Sequence, residues 1–260
     1  MAVLEDDEKS PAPAVTRAAA ILTLLAEEGR PLGLTDIART LGLAKSSTLN
    51  LCIALEQASL VSKNELGYAL GRKTVELGGA YVRGFDLLRE FYRVCAESPV
   101  LQHELLQIAL LDSTMVLYLA RHEGRAPLRL SATVGDRFPA TVTAVGSVLL
   151  AELDADEVRA RFAEPGTLPA WTERSTTSVD ALLAKLEATR ARGYAVDDGE
   201  TNPSVYGLAI LLPPRRTGEA PLALGASLMK ASMTPETEHE VVAELIAARE
   251  HLSSPNFIRP

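Results

Sequence analysis

The stretch TDIARTLGLAKSSTLNLCIALEQASLVSKNELGYALG, residues 35–71, predicts the fold of the first part of the chain. It contains a short helix that ends at Gly42 and a second helix from about Ala44 to Ala58. Two short strands about a turn at Asn64–Gly67 follow. An amphipathic helix, AVTRAAAILTLLAEE at residues 14–28, precedes them. Three helices and a ribbon in this order predict a winged helix-turn-helix.

The third predicted helix carries the face that is expected to meet a partner. It opens with AKSSTLN at residues 44–50, and no acidic residue occurs from Lys45 to Leu55. Short polar side chains and a lysine suit contacts with phosphates and base edges better than they suit a solvated face rich in glutamate. A small helical hairpin that packs for stability alone is the alternative at this point.

Helical spacing divides this third helix into two predicted faces. The inward stripe is expected to contain Leu49, Cys52 and Ile53. The opposite face is expected to contain Ser46, Ser47 and Asn50. A lysine is expected at each end of this surface, one on the helix and one at the tip of the ribbon. Including the N-cap of the preceding helix, the residues predicted to contact DNA are Thr35, Lys45, Ser46, Ser47, Thr48, Asn50 and Lys63.

Composition restricts the classes of function. The chain has 260 residues, of which 47% are hydrophobic and 23% charged, so it can form two ordinary domains. A formal net charge of −8 argues against a general polyanion binder. Residues 10–72 are nevertheless near neutral, with six basic residues against five acidic ones (Arg17, Arg30, Arg39, Lys45, Lys63 and Arg72 against Glu27, Glu28, Asp36, Glu56 and Glu65). DNA affinity through this region is therefore expected to require pairing of several copies.

The cysteines, the apolar runs and the chain ends indicate where in the cell the protein is expected. Cys52 and Cys95 are the two cysteines, and no Cys or His pair has metal-ligand spacing, so no disulfide framework, metal or cofactor is predicted. No apolar run reaches the roughly 18 residues that a membrane span needs. The opening MAVLEDDEKSPAPA lacks the pattern of a signal peptide. A cytoplasmic protein is expected, with a mobile arm at residues 1–14 and a tail at 255–260.

The rest of the chain predicts a linker and a second domain. Residues 72–97 have a helical pattern with a break expected near Gly84. Beyond them, strand-like runs such as ELLQIALLD, TMVLYLARHEG and LRLSATVG (residues 128–135) are accompanied by predicted helices, one of which covers residues 140–153. Asp154 and Thr234 are predicted to cap two further helices, and Gly193 is predicted to end another. This pattern predicts an antiparallel sheet flanked by helices, an α+β domain of the ligand-sensing type. The expected domains are thus 15–71, a linker, and 98–254 for effector binding and oligomerisation.

No enzyme constellation occurs in the sequence, and no catalytic residue is predicted. A nucleophile elbow, a phosphate loop and a dinucleotide fingerprint are all missing. The pair Asp197 and Asp198 allows a carboxylate site, with two solvated acids slightly favoured. The run TVTAVGS at residues 141–147 allows an anion-binding helix start, where Ala144 and Gly146 let a ligand approach, or simple tight packing.

Two groups of motifs resemble the IclR type of bacterial transcriptional regulator over nearly the whole chain. The first is GLTDIARTLGLAKSSTLNLCIALEQASLV followed by YALG, and the second is PATVTAVGSVLLA with RGYAVDDGETNPSVYGLAI. The resemblance implies a winged helix-turn-helix, a linker helix and a GAF-like effector domain that pairs further. It also implies that the protein senses a small organic or aromatic acid and represses or activates a neighbouring operon.

The resemblance also assigns effector residues, position by position. Thr143, Ala144 and Gly146 match a TAxG run beside the effector, although Ser147 replaces the lysine that usually follows. Asp197 matches an acid that commonly contacts the effector. The effector-binding residues expected from this comparison are Thr141, Thr143, Ala144, Val145, Gly146, Asp197, Gly207 and Ser227.

Other positions depart from the family pattern. Gly207 stands where a cysteine is common, Ser204 replaces a glycine, and Asn50 stands where an arginine is usual in the recognition helix. These departures leave the expected fold unchanged and leave the effector and the operator sequence open.

The expected function is a ligand-responsive DNA-binding regulator. Its expected partners are double-stranded operator DNA, a small-molecule effector and further copies of the chain, as a homodimer or a dimer of dimers, and no membrane. Two alternatives stay open on the sequence: a hydrolase-type enzyme with an accessory helical domain, and an interaction module whose first domain contacts proteins.

Overall fold

The computed structural model describes residues 10–83, 87–124, 132–214 and 218–253. The chain divides into two compact units, with the division after residue 85. The α+β class predicted from the sequence is confirmed. In the described ranges no helix is both long enough and apolar enough to cross a membrane.

The first unit contains the predicted three helices and ribbon. Its small core is formed by apolar residues from every one of these elements, including Ile21, Leu25, Ile37, Leu55 and Tyr68. The left-handed Gly29 ends the first helix, as its position in the sequence predicts. The elements are α1 (Pro13–Glu28), α2 (Leu34–Thr40), α3 (Lys45–Gln57), β1 (Val61–Asn64) and β2 (Gly67–Leu70). Because α1 begins at Pro13, the last two residues of the predicted mobile arm are helical; residues 1–9 of the arm lie outside the described ranges.

The ribbon is held by hydrogen bonds within its turn and along the outer edge of β2. Asn64 Oδ1 accepts from the backbone N–H groups of Leu66 and Gly67, at 2.9 and 3.1 Å. At the other side, Leu32 and Tyr68 exchange two backbone hydrogen bonds of 2.9 and 2.8 Å. Gly67 has a φ of 133°, and a Cβ there would lie 2.3 Å from the carbonyl oxygen of Leu32. This turn therefore requires glycine.

The inward stripe of α3 differs from the predicted one. Thr48, Cys52 and Leu55 are buried, whereas Leu49 and Ile53 are 37% and 42% exposed. The spacing of three and four residues fits both sets, so hydrophobicity alone could not fix the rotation of the helix. The structure turns Thr48 inward, where it is fully buried and its hydroxyl donates to the carbonyl oxygen of Ala44 at 3.1 Å, so the polar group is satisfied within the helix.

The predicted linker is divided between the two units. It consists of α4 (Arg72–Arg83), in the first unit, and α5 (Leu87–Glu97), in the second. The break expected near Gly84 falls outside the described residues. In α5, Leu87, Leu88 and Phe91 are buried, and the helix packs against the last helix of the chain. The second unit thus begins before the predicted boundary at residue 98.

The second unit is built on a six-stranded antiparallel sheet. The strand order is β5-β4-β3-β8-β7-β6. Residues 128–131 of the third predicted strand lie outside the described ranges, and residues 132–135 are not in a strand. The strand at this edge of the sheet begins instead at Arg137. The strands are β3 (Leu105–Asp112), β4 (Met115–His122), β5 (Arg137–Pro139), β6 (Ala195–Asp198), β7 (Val205–Leu212) and β8 (Leu222–Met229).

Helices cover both faces of this sheet. On one face α6 (Ala144–Leu150), α7 (Ala155–Arg161) and α8 (Val179–Arg192) enclose the main apolar core; α5 and α9 (Pro235–Ser253) contact the sheet and each other. The predicted helix caps at Asp154 and Thr234 form, and each accepts from a backbone N–H three residues later. The predicted single helix at residues 140–153 is instead a 3₁₀ turn followed by α6.

Candidate functional site

The exposed side of α3 presents part of the predicted DNA-contacting set. Lys45, Ser46 and Asn50 are exposed, and Ser47 is half-buried at the flank. Thr48, predicted to contact DNA, is fully buried and cannot do so. Its hydroxyl bonds to the backbone of its own helix, so the prediction for this residue was wrong.

Two further residues of the predicted set lie outside α3. Thr35 is exposed, but it sits in the first turn of α2, whose N-cap is Gly33, so its predicted capping role was wrong. Lys63 is exposed on β1 beside the ribbon turn. Its ammonium lies 5.5 Å from the centre of the Tyr68 ring, which directs the side chain along the ribbon.

The second unit contains a cavity of about 200 Å³ between the start of α6 and strands β6, β7 and β8. Six of the eight predicted effector residues line it, and Thr141 and Gly146 do not. The six are Thr143, Ala144, Val145, Asp197, Gly207 and Ser227. An engineered cavity of roughly 150 Å³ holds one benzene ring, so this space suits a one-ring molecule.

Gly146 serves packing rather than ligand access. A Cβ at this position would lie 2.1 Å from the carbonyl oxygen of Ala140, so the two backbones are in direct contact. Thr143, the N-cap of α6, accepts from the N–H of Gly146 at 3.0 Å. The amide predicted to attract an anion is therefore already bonded. Thr141 is fully buried, and its hydroxyl has no hydrogen-bond partner among the described residues.

Asp197 is buried and holds the loop after β6. Its Oδ1 accepts from the N–H of Glu200 at 2.6 Å, and Thr201 Oγ1 lies 2.7 Å from both Asp197 Oδ2 and the carbonyl oxygen of Val142. One hydroxyl supplies one hydrogen, so full hydrogen bonds at both contacts require a proton on Asp197. Burial raises the pKa of Asp197, which favours that protonated form.

The neighbouring Asp198 lies on the opposite side of the strand. Its carboxylate pairs with Arg174 and, at 2.7 Å, with Lys230. The interpretation of the two acids as solvated was therefore wrong for Asp197 and incomplete for Asp198.

An aromatic wall of the cavity was missed by the sequence analysis. Tyr118, Phe138 and Trp171 line it in series, with ring centres 5.3 Å and then 5.5 Å apart. Burial, with the charge of Asp136 adding to it, raises the pKa of Tyr118, so its phenol stays protonated and can donate a hydrogen bond. These rings come from three separate segments, and no local motif connects them.

Two polar residues near the cavity were also missed. Gln107 is buried and its Nε2 donates to Ser227 Oγ at 3.1 Å. Gln107 is the one polar residue in the apolar strand LLQIALL, and this interruption could have identified it from the sequence. Lys185, on α8, lies beneath the loop: its Nζ is 2.5 Å from Glu200 Oε1 and donates to the carbonyl oxygen of Thr141 at 2.9 Å.

Comparison with known proteins identifies the chain's relatives. Two family models match it: the IclR helix-turn-helix domain over residues 14–65, and the bacterial transcriptional regulator IclR C-terminal domain over residues 79–254. The chain belongs to the IclR family of bacterial transcriptional regulators.

Relatives of this IclR-family chain are named as regulators. The HTH-type transcriptional regulator KdgR of Escherichia coli is 28% identical over 96% of this chain and 94% of its own length. The glycerol operon regulatory protein of Streptomyces coelicolor is 32% identical over 77% of this chain and 78% of its own length. This IclR-family chain is accordingly a DNA-binding transcriptional regulator with an effector-binding domain.

Solved IclR structures share the fold. A regulator from Alicyclobacillus acidocaldarius has a TM-score of 0.80 and 26% identity, covering 94% of this chain and 98% of its own. An IclR homolog from Microbacterium hydrocarbonoxydans, solved in complex with 4-hydroxybenzoate, has a TM-score of 0.76 and 20% identity, covering 92% of this chain and 98% of its own.

Proposed function

We propose that this regulator contacts operator DNA through the exposed side of α3 and responds to a one-ring organic molecule bound in the cavity of its second unit. The observation that carries the proposal is the cavity, where Asp197, Thr143 and Ser227 face an aromatic wall. A repressor or activator of a neighbouring catabolic operon fits this arrangement. The cytoplasm, where bacterial operators are found, is the proposed location, and no catalytic role is proposed because the named relatives are regulators.

The proposed DNA contacts divide into two kinds. Asn50 and Ser46, on the exposed side of α3, contact base edges, and Lys45 and Lys63 contact phosphates, with Thr35 and Ser47 at the edge of the surface. Asparagine can pair with both N6 and N7 of adenine, which carries sequence information, whereas a lysine on phosphate carries none.

Two copies of the first unit are proposed to act together. Its basic and acidic residues nearly balance, so one copy falls short of the roughly 6–10 phosphate contacts of tight binding. A homodimer, or a dimer of dimers, would place two α3 helices on half-sites about one helical turn, roughly 34 Å, apart.

Asn50→Ala and Lys45→Ala are expected to affect DNA binding differently. Asn50→Ala should remove about 1–3 kcal/mol of discrimination at one base pair per half-site. Lys45→Ala should weaken binding to all sequences alike. It should also reduce the slope of log affinity against log salt concentration by about one for each first unit bound to the DNA. Selection from a random duplex pool, followed by affinity measurements at several salt concentrations, separates these effects. Lys73→Ala is the control, since Lys73 pairs with Glu76 on α4. Identical selection profiles and salt slopes for the two variants would refute the division of roles.

The proposed effector is flat, small and at most singly charged. The cavity volume suits one ring, and the three aromatic side chains supply a stacking wall. Among the described residues that line the cavity, none is lysine or arginine, so a multiply charged anion would be poorly compensated. A side chain at Gly207 would crowd Asp197 and Ala144, so glycine there keeps the space open. Aromatic acids with a hydroxyl group, such as 4-hydroxybenzoate, belong to this class.

Ser227→Leu is expected to abolish effector binding, because the added side-chain volume fills much of the cavity. Ser227→Ala is the matched control: it removes the hydroxyl but leaves the space, so affinity should fall only about five- to tenfold. Trp171 is the single tryptophan of the chain and lines the cavity, so its fluorescence reports binding directly. Hydroxylated benzoates are titrated against each protein, with succinate as an aliphatic dianion. Unchanged affinity in Ser227→Leu would place the effector elsewhere.

A further inference from the structure

Two large apolar side chains are exposed on α3, on the side that carries the proposed DNA contacts. Leu49 is 37% exposed and Ile53 is 42% exposed. They lie four residues apart, so they are neighbours on the helix surface, roughly 5–6 Å between their Cβ atoms. By helical rotation, Ile53 lies between Leu49 and Asn50, and Ser46 lies one turn earlier.

This pair is unusual for a solvated helix face. Isoleucine loses side-chain freedom in a helix, so it is a poor choice where nothing packs against it. The inward side of α3 is already complete, since Thr48, Cys52 and Leu55 fill the contact with the core. Two exposed apolar residues on one side of the same helix therefore suit a surface that becomes covered when the protein acts.

The chemistry of the DNA major groove matches such a surface. Thymine alone among the four bases presents a methyl group there, and apolar side chains recognise it by excluding water. A helix that places asparagine against an adenine edge also brings its neighbouring side chains to the adjacent base pairs. Ser46 and Asn50 supply hydrogen bonds, and Leu49 and Ile53 supply apolar surface beside them.

We propose that Leu49 and Ile53 contact thymine 5-methyl groups next to the adenine that Asn50 contacts, and so determine part of the operator sequence. This inference rests on the proposed placement of α3 in the major groove. It predicts half-sites in which thymines flank the adenine. Each contact covers one methyl group and is expected to contribute about fourfold in affinity.

The test removes single methyl groups from the DNA. The full-length protein first selects its sites from a random duplex pool, and each thymine of the selected site is then replaced with uracil, which lacks only the 5-methyl group. Wild type should lose about fourfold in affinity at one or two positions per half-site. The Leu49→Ala variant should bind thymine-containing and uracil-containing DNA equally at one of these positions. The Ile53→Ala variant should do so at another. Circular dichroism verifies that the variants are folded, as expected for exposed positions.

Leu77→Ala is the matched control, because Leu77 is equally apolar and 54% exposed but lies on α4. This variant should show the same loss of affinity as wild type when thymine is replaced with uracil. Wild type that is insensitive to uracil at every thymine would overturn the inference, while leaving the proposed DNA-binding role intact. The inference would also be overturned if Leu49→Ala and Ile53→Ala lost as much affinity as wild type on uracil substitution. The side chains of Leu49 and Ile53 would then contact another surface. Failure of wild type to enrich any sequence would overturn the proposed function as well.

Discussion

Gly146→Leu is expected to unfold much of the second unit, with a loss of about 3 kcal/mol or more in the free energy of unfolding. A Cβ at Gly146 would lie 2.1 Å from the carbonyl oxygen and 2.4 Å from the Cα of Ala140. Both atoms belong to the backbone, so no side-chain rotation relieves the overlap. Every residue of α6 is buried, and displacing this helix disturbs the main core and the cavity together.

Urea unfolding followed by Trp171 fluorescence measures this loss, because the single tryptophan reports on the second unit. Gly78→Ala, followed by circular dichroism, is the control for adding a methyl group at a helical glycine. Apart from the neighbouring backbone of its own helix, no atom of the described residues lies within 4 Å of a Cβ built at Gly78, so this change should stabilise its helix by about 0.5–1 kcal/mol. A Gly146→Leu protein with the wild-type unfolding midpoint would contradict the assigned packing role.

Lys185→Ala is expected to destabilise the second unit by about 3–5 kcal/mol, because it leaves a buried carboxylate without its cation. The side chains of Lys185 and Glu200 are only 15% and 10% exposed. Glu200 Oε2 also accepts from the N–H and the hydroxyl of Thr176, so this carboxylate connects the loop after β6 to the segment before α8. Loss of the lysine should loosen that loop and therefore also weaken effector binding.

A double-mutant cycle isolates the contribution of this pair. Lys185→Met combined with Glu200→Gln should cost clearly less than the sum of the two single changes, because neither charge is then left alone. Arg159→Ala is the control, since the Arg159–Asp180 pair is 54% and 87% exposed and should contribute at most about 1 kcal/mol. Additive losses in the cycle would show that the two side chains do not act as a pair.

Local signals in the sequence were sufficient for most of the elements and for their order. The caps at Asp154 and Thr234 and the glycine stop at Gly193 depend on backbone chemistry within a few residues, and all three form. The rotation of α3 was not accessible in the same way. Leu49 and Ile53 have the hydrophobicity of core residues, and only tertiary packing decides that Thr48 takes the inward position.

The cavity shows the same division between local and distant information. Residues in the two quoted motifs, such as Thr143 and Asp197, were predicted and do line it. Tyr118, Phe138 and Trp171 were not, because the sheet and a long connection bring them together from distant parts of the chain. Gly146 was ambiguous from sequence, since close approach of a ligand and close approach of backbone both require glycine. The backbone contact with Ala140 shows that close packing is the reason for glycine at this position.

Sequence-specific binding of operator DNA is tested with duplex DNA from upstream of the gene that encodes this chain. The measurement is affinity as a function of salt concentration, with a scrambled duplex of equal length and composition beside it. We expect the upstream duplex to bind at least about a thousandfold more tightly than the scrambled duplex, and the logarithm of the binding constant to fall linearly with the logarithm of the salt concentration. Equal affinity for the two duplexes at every salt concentration would contradict it.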